Sequence, residues 1–399
     1  MCDEIIEVHY KGENRMAISV GKLCKDVNQN YKMQLIAGRK GLSNLVNWVH
    51  VLEDMEVASF LLGYELVFTT GIGNMRNDGC MLEFVRSLVE REVSGLVVNI
   101  GPYIKSVPKE VIEYCDQNDF PLYICPWEIR LVEITRDLCK RIINSEVNEK
   151  RLESDVKDYI FYPAQRDKLQ YVLERRGLMR DTNYCVITLG LHNGDYPVTE
   201  NDNVRLEFFT RREIEKIASG KYVLFWHERY ISIVIAGMED DKIKEFVEAM
   251  KEHSGEKFCI RMGVSTNTDN LGKLDVNYER SREVFDMCIK RQENVLYYDD
   301  LGIYKILLSV KDKHVLNEFT VNILGSLKEY DRNNSTDYYE FVKTFIDNDG
   351  SIQKTADELF VHRNTINYKI AKIKKITGMD ITKLETMLLI KLSIEIENI

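Results

Sequence analysis

The sequence predicts a multidomain protein of the α/β plus all-α class, and three observations carry that prediction. Short apolar runs alternate with helical patterns over two successive stretches. Strand patterns stop near residue 300, after which only helical periodicity remains. The 399 residues also exceed what one ordinary hydrophobic core organises, so two or three domains follow.

The first domain is assigned to residues 16–145. Apolar runs at 34–37, 46–52, 65–70, 95–100 and 121–125 read as strands, and 81–91 and 109–117 read as helices, with apolar residues every three or four positions. Strand, helix, strand, helix is the pattern of parallel α/β packing, although periodicity leaves the number of sheets open. From 127 to 160 the pattern is helical and strongly charged. Leu131, Ile134, Leu138, Ile142, Leu152 and Val156 fall near one stripe, and no proline occurs before Pro163. This stretch reads first as a helix closing the first domain and second as a connector that pairs with another chain. Residues 146–166 are assigned as a helical linker.

The middle domain is assigned to 167–300. Strands at 184–191, 221–226, 230–236, 258–265 and 295–297 alternate with helices at 204–219, 240–253 and 274–291, and the short link at 227–229 reads as a hairpin. The order β-α-β-β-α-β, with a helix and strand appended, suggests a ferredoxin-like or cyclase-like sheet. Residues 301–399 are all-α, with helices at 303–309, 315–328, 337–347, 351–359, 363–377 and 381–396.

The composition is 44% hydrophobic and 30% charged, with only 6 prolines, so every segment reads as folded. The net charge of −10 argues at first against a nucleic-acid partner, but a phosphate-binding surface needs only a local excess of cations. Residues 351–375 supply one: Lys354, Arg363, Lys369, Lys372, Lys374 and Lys375 stand against Asp357 and Glu358. The nine cysteines (2, 24, 80, 115, 125, 139, 185, 259 and 288) are scattered singly, without a C-x-x-C pair. That distribution predicts no metal site and reduced thiols. Residues 1–10 carry Asp3, Glu4 and Glu7 in place of a signal peptide's basic and apolar regions, and no apolar run reaches ~18 residues. A cytoplasmic protein without a membrane partner is expected.

The stretch 349–378 carries the function. Gly350 ends one helix and Ser351 is a suitable N-cap for the next, with Lys354 where a capping box would place Glu. Ile352, Ala356 and Leu359 share a face, and Ala356 is small enough for two helices to cross steeply. The link Phe360, Val361 and His362 leads into a second helix with apolar Ile366, Ile370, Ile373 and Ile376 inside. Its outer face presents Arg363, Asn364, Thr365, Asn367, Tyr368, Lys369 and Lys372, the candidate DNA-binding residues. Arg and Asn match guanine and adenine edges in the major groove, so Arg363, Asn364 and Asn367 are assigned to bases. Thr365, Tyr368, Lys369 and Lys372 are assigned to the phosphate backbone. This is helix-turn-helix patterning, which implies double-stranded DNA as partner and a homodimer or higher homo-oligomer. A glycine often occupies the turn to permit positive φ; here Phe360 stands there, and it is open to being a core residue instead. The last helix places Leu384, Leu388, Leu392 and Ile396 near heptad spacing, to pack on the domain or on a partner chain.

The run Thr355-Ala356, Leu359, Val361-His362-Arg363-Asn364-Thr365-Ile366, Tyr368-Lys369-Ile370, Ile373 and Thr377-Gly378 resembles the C-terminal helix-turn-helix of the purine-catabolism regulator (PucR) family. The block Trp48-Val49-His50-Val51-Leu52-Glu53 and the run from Glu65 through Thr69-Thr70-Gly71 resemble the same family's sensor domain. Arg261 to Ser265 is similar to a strand of the degenerate GGDEF-like domain found between them. The resemblance implies a ligand-responsive bacterial regulator of catabolic genes, with a purine degradation product or related nitrogen compound as effector.

An enzyme is the rival reading. A cyclase needs a Gly-Gly-Asp/Glu-Glu-Phe hairpin, whereas residues 226–232 offer Glu228 alone, which cannot hold a metal pair. No catalytic residue and no cofactor are therefore assigned. In the first domain the expected pocket is the C-terminal edge of the strands, with Glu53, Thr69, Thr70, Gly71, Asn99, Gly101 and Trp127 as candidate ligand-binding residues. Thr69-Thr70-Gly71 offers hydroxyls and open backbone suited to imide- or ureide-like ligands, against the plainer reading of a strand-end turn. The alternative to a regulator is an α/β binding or catalytic protein whose helical C-terminus only oligomerises.

Overall fold

The computed structural model describes residues 18–54, 61, 63–72, 78–192, 198–218, 221–253 and 259–398. Residues 1–10 with Cys2, the start of the first domain at 16–17, and the element ends Ser219, Phe258 and Ile399 lie outside them. Packing divides the chain into two units: one runs up to Ile260 and includes Asn267–Glu279, and the other comprises Arg261–Thr266 and Arg280 onward.

In chain order the first unit begins with β1 (Ile18–Ser19), α1 (Val20–Cys24), α2 (Val27–Asn30), β2 (Gln34–Ala37), β3 (Leu45–Val46) and β4 (Trp48–Val51). Then come β5 (Glu65–Thr69), α3 (Asp78–Glu90), β6 (Gly95–Ile100), α4 (Lys109–Gln117), β7 (Leu122–Pro126) and α5 (Leu131–Phe161). Five strands form one sheet in the order β2-β7-β6-β5-β4. β4 to β7 run parallel and β2 is antiparallel to β7. β5 is buried along its whole length, as a central parallel strand covered on both faces must be. Its side chains alternate: Val67 joins Phe84, Val85 and Leu88 of α3, while Leu66 and Phe68 face Leu23 of α1 and Ile134 and Leu138 of α5. The domain is thus three-layered. The strand expected over 46–52 is two strands in two sheets, because Leu45–Val46 pairs with Ile18–Ser19 while Trp48–Val51 joins β5.

α5 is one helix of 31 residues. Its first half supplies Ile134, Leu138 and Ile142 to the core of the first domain, and its second half buries Val156, Tyr159 and Ile160 in another core with Tyr184, Phe225 and Val234. The residues assigned to a linker are therefore the C-terminal half of this helix and the turn at Pro163–Gln165. Proline at that point removes a backbone donor and ends the helix.

Next come α6 (Arg166–Arg175), β8 (Tyr184–His192), α7 (Glu200–Ala218), β9 (Tyr222–His227), β10 (Tyr230–Ala236), α8 (Asp240–Glu252), β11 (Cys259–Val264), α9 (Leu274–Arg291) and β12 (Val295–Tyr297). β10 is antiparallel to both β8 and β9, with Tyr230 opposite His227 across the expected hairpin. In the second unit β11 and β12 pair in parallel from Met262 and Val295.

That second unit continues with α10 (Tyr304–Ser309), α11 (Lys313–Asn334), α12 (Tyr338–Asp347), α13 (Ile352–Glu358), α14 (Arg363–Thr377) and α15 (Leu384–Glu397). Their core gathers Leu324, Leu327, Phe341, Phe345, Ala356, Ile366, Ile370, Ile373, Ile390 and Ile394. α15 buries Ile390, Ser393 and Ile394, whereas Leu384 and Leu388 are 69% and 61% exposed. The leucine stripe, expected to pack on the domain or on a partner chain, therefore does not pack on the domain over its first two positions. α15 is apolar on nearly every side, and α11 and α12 take its other face.

Candidate nucleic-acid interface and effector edge

α13 starts at Ser351, whose Oγ accepts the Lys354 N–H at 3.3 Å. One turn on, Thr355 and Ala356 are buried, with Ile352 and Leu359 packed partly against the core. The chain then turns through Phe360, whose φ is 55°, and the Val361 N–H returns to the Ala356 carbonyl at 3.0 Å. Phe360 is 96% exposed, so it is not a core residue: it takes the left-handed turn position itself and points into solvent. His362 caps α14, its Nδ1 accepting the Asn364 N–H at 3.2 Å. This cap was not anticipated from the sequence; a histidine one residue before the helical run was the available signal. Gly378 closes the helix at φ 75°.

Ile366, Ile370 and Ile373 anchor α14 in the core, and that anchoring fixes what faces outward. Arg363, Asn364, Thr365, Asn367 and Tyr368 are all exposed over the first two turns of the helix. Lys369 and Lys372 are half-buried at its edge. The Lys369 ammonium lies 2.7 Å from Asp337 Oδ1 and 5.3 Å from the Phe341 ring centroid. Lys372 lies over the Tyr330 ring at 5.4 Å, and the hydrogen bond between them raises its pKa above the ordinary lysine value. The two lysines assigned to phosphates thus also have partners inside their own unit.

In the first unit the candidate ligand-binding residues fall at the C-terminal ends of β4 to β7, the edge at which parallel sheets bind ligands. Glu53, Thr69, Thr70 and Gly71 form one cluster. The Glu53 carboxylate accepts from the Thr70 N–H at 3.0 Å, the Thr70 hydroxyl at 2.7 Å and the Gly71 N–H at 3.0 Å. The donors expected to meet a ligand therefore hold Glu53 here. Asn99, Gly101 and Trp127 form a second cluster: the Asn99 amide donates to the Pro126 carbonyl at 3.0 Å, and a Cβ on Gly101 would lie 2.7 Å from Trp127. Ile104 joins the clusters, accepting the Gly101 N–H at 2.8 Å and packing against Gly71. Ile104 and Tyr103, whose ring lies edge-on to Trp127 at 5.7 Å, were not anticipated from the sequence.

The middle hairpin carries packed rather than reactive side chains. Trp226 Nε1 donates to Glu207 at 2.7 Å, and the His227 ring stacks on Phe161 with centroids 4.6 Å apart. Burial pushes the thiols of Cys24, Cys115 and Cys288 up to about 12, away from the thiolate that nucleophilic chemistry needs. Among the described residues no group of three His, Cys, Asp or Glu could hold a metal ion, and no helix is long and apolar enough to cross a membrane.

Comparison with known proteins adds to this geometry. Residues 23–142 match the purine catabolism regulatory protein-like family, and residues 338–396 match the PucR C-terminal helix-turn-helix domain. The chain is 26% identical over 252 residues to the proline-responsive transcriptional activator PutR of Bacillus subtilis, covering 60% of each chain. It is 30% identical over 115 residues to the purine catabolism regulatory protein of the same organism, covering 29% of this chain and 22% of that protein. The matches thus span less than two thirds of either relative. A crystal structure of a regulator of polyketide synthase expression from Bifidobacterium adolescentis aligns with 62% of this chain and 92% of its own, at 17% identity and a TM-score of 0.31.

Proposed function

From a chain with a PucR-family domain at its N-terminal end and a PucR-type helix-turn-helix at its C-terminal end, we infer a ligand-responsive transcription regulator that binds promoter DNA. One observation carries the reading: Arg363, Asn364 and Asn367 are exposed over the first turns of a helix that Ile366, Ile370 and Ile373 anchor in the core. Inserted in a major groove, α14 would place Arg363, Asn364 and Asn367 on base edges, with Thr365, Tyr368, Lys369 and Lys372 toward the backbone. One such helix makes few contacts, so a homodimer on paired half-sites is expected.

The sensor edge with Glu53, Thr69, Thr70, Gly71, Asn99, Gly101 and Trp127 is the proposed effector site. The names of the relatives, one proline-responsive and one a regulator of purine catabolism, support a small nitrogen-containing catabolite as effector and catabolic genes as targets. Effector binding would act as a population shift, and α5, buried in both the sensor core and the next one, is the element through which that shift would leave the sensor. The middle domain is read as a scaffold without cyclase chemistry, and the protein as cytoplasmic. Binding of the full chain to duplex DNA from upstream of its own gene, compared with single-stranded RNA over a salt series, tests the reading. Salt-dependent preference for the duplex supports it, and preference for RNA, or no binding to either, overturns it.

A further inference from the structure

The carboxylate of Glu53 is held as a bound ligand would be. Beyond the Thr70 and Gly71 donors already described, it accepts from the Thr69 hydroxyl at 3.3 Å and from the Ile72 N–H at 3.3 Å. A second bond from the Thr70 N–H reaches its other oxygen at 3.1 Å. Three consecutive backbone N–H groups and two hydroxyls thus converge on one planar oxyanion. Gly71, at φ 74°, bends the backbone so that they do, and a Cβ there would stand 2.5 Å from Ile104 Cγ1. Successive N–H groups turned into one concavity make a receptacle for anions. Nothing in that donor set requires the anion to be tethered to β4.

Among the described residues, the rim of the receptacle is partly exposed. Ile72 is 52% exposed, Tyr103 is 39% exposed and Trp127 is 40% exposed, and Tyr103 Cβ lies 3.8 Å from the Cβ position of Gly71. Glu53 itself is half-buried, so its side chain has a route into solvent.

We propose that the turn from Thr69 to Ile72 is a carboxylate-binding site, that Glu53 is its resident occupant, and that the effector is a small carboxylic acid with an apolar or planar body. The effector's carboxylate takes the donors from Glu53, and its body rests on Ile72 and the Tyr103–Trp127 pair. Exchanging one carboxylate for another leaves the hydrogen bonds matched, so affinity and selectivity come from the rim. Uncharged imide- or ureide-like molecules find the same donors saturated and are poor competitors. The inference rests on the effector-edge reading above.

Chemical rescue tests it in the full-length protein. In chloride, Glu53→Ala removes the acceptor of the Thr70 N–H and hydroxyl and lowers the thermal midpoint. Sodium formate or acetate at matched ionic strength restores the midpoint saturably, and adding Thr70→Val to Glu53→Ala weakens the rescue, because one hydroxyl donor is lost while the backbone N–H groups remain. Should Glu53→Ala fail to fold in chloride, its refolding yield in formate against chloride gives the same readout. Formate acting no differently from chloride, in midpoint or in yield, overturns the proposal. Promoter binding by the wild type in the same buffers separates the two readings: DNA binding without rescue removes only this proposal, and rescue without DNA binding removes only the regulator reading.

Discussion

The ammonium of Lys369, on the outward side of α14, lies 2.7 Å from the carboxylate of Asp337 at the start of α12. A cation proposed to meet phosphate is thereby partly neutralised by its own domain. Asp337 is 73% exposed and the pair is worth little to stability. Asp337→Asn is expected to tighten binding to any duplex, specific or random, by roughly two- to fivefold, because it frees a cation and removes an acid near the phosphates. A plot of log affinity against log salt should steepen by about one. An unchanged slope would show that Lys369 does not reach the backbone.

The turn between α13 and α14 predicts a stabilising substitution. Phe360 has a left-handed backbone (φ 55°) and is 96% exposed, so it bears the steric cost of positive φ without burying its ring. Phe360→Gly is expected to stabilise the second unit by about 1 kcal/mol, read as a higher thermal midpoint. A fall in the midpoint would mean that the ring is covered in solution.

Tyr64 makes stability depend on alkaline pH. Its ring stacks on Phe208 with centroids 4.2 Å apart, and burial together with the neighbouring Glu92 carboxylate pushes its hydroxyl up to about 12. A pKa raised above the ordinary tyrosine value of 10.0 stabilises the fold fully below that pH, and the contribution is lost as pH rises through about 12. Tyr64→Phe keeps the stack and removes the titrating group. Urea midpoints of wild type and variant, compared from pH 9 to 11, should converge or cross as pH rises, with wild type losing more. Parallel curves would contradict the assignment.

Much of this architecture is legible locally. Val67 and Phe68 in β5, or Ile366, Ile370 and Ile373 in α14, declare element and buried face by their spacing alone, and Ser351 and Gly378 mark the helix ends through backbone chemistry. What escapes is settled by distant partners. Asn47 looks compatible with one continuous strand, and only the pairing of Leu45–Val46 with Ile18–Ser19 breaks it. α15 offers two apolar stripes, and α11 and α12 decide that Ile390 and Ile394 go inward and Leu384 and Leu388 outward. The seven candidate ligand-binding residues lie at the C-terminal ends of β4 to β7 in two clusters, but the bonds from Thr70 and Gly71 to Glu53 cross between strands, so no local pattern shows the donors occupied. The Lys369–Asp337 pair spans 32 positions and was invisible for the same reason.

The central claim is that α14 reads base edges, and Arg363→Ala tests it most directly. The variant and wild type would be titrated with the promoter fragment upstream of the protein's own gene and with random duplex of equal length. Arg363 is exposed and contributes nothing to the core, so the fold should persist. The account predicts a loss of about 1–3 kcal/mol on the promoter site, about five- to 150-fold in affinity, with a far smaller loss on random DNA. Equal losses on both duplexes would reduce Arg363 to a phosphate contact, and unchanged binding to both would contradict the assignment of α14 as the recognition helix.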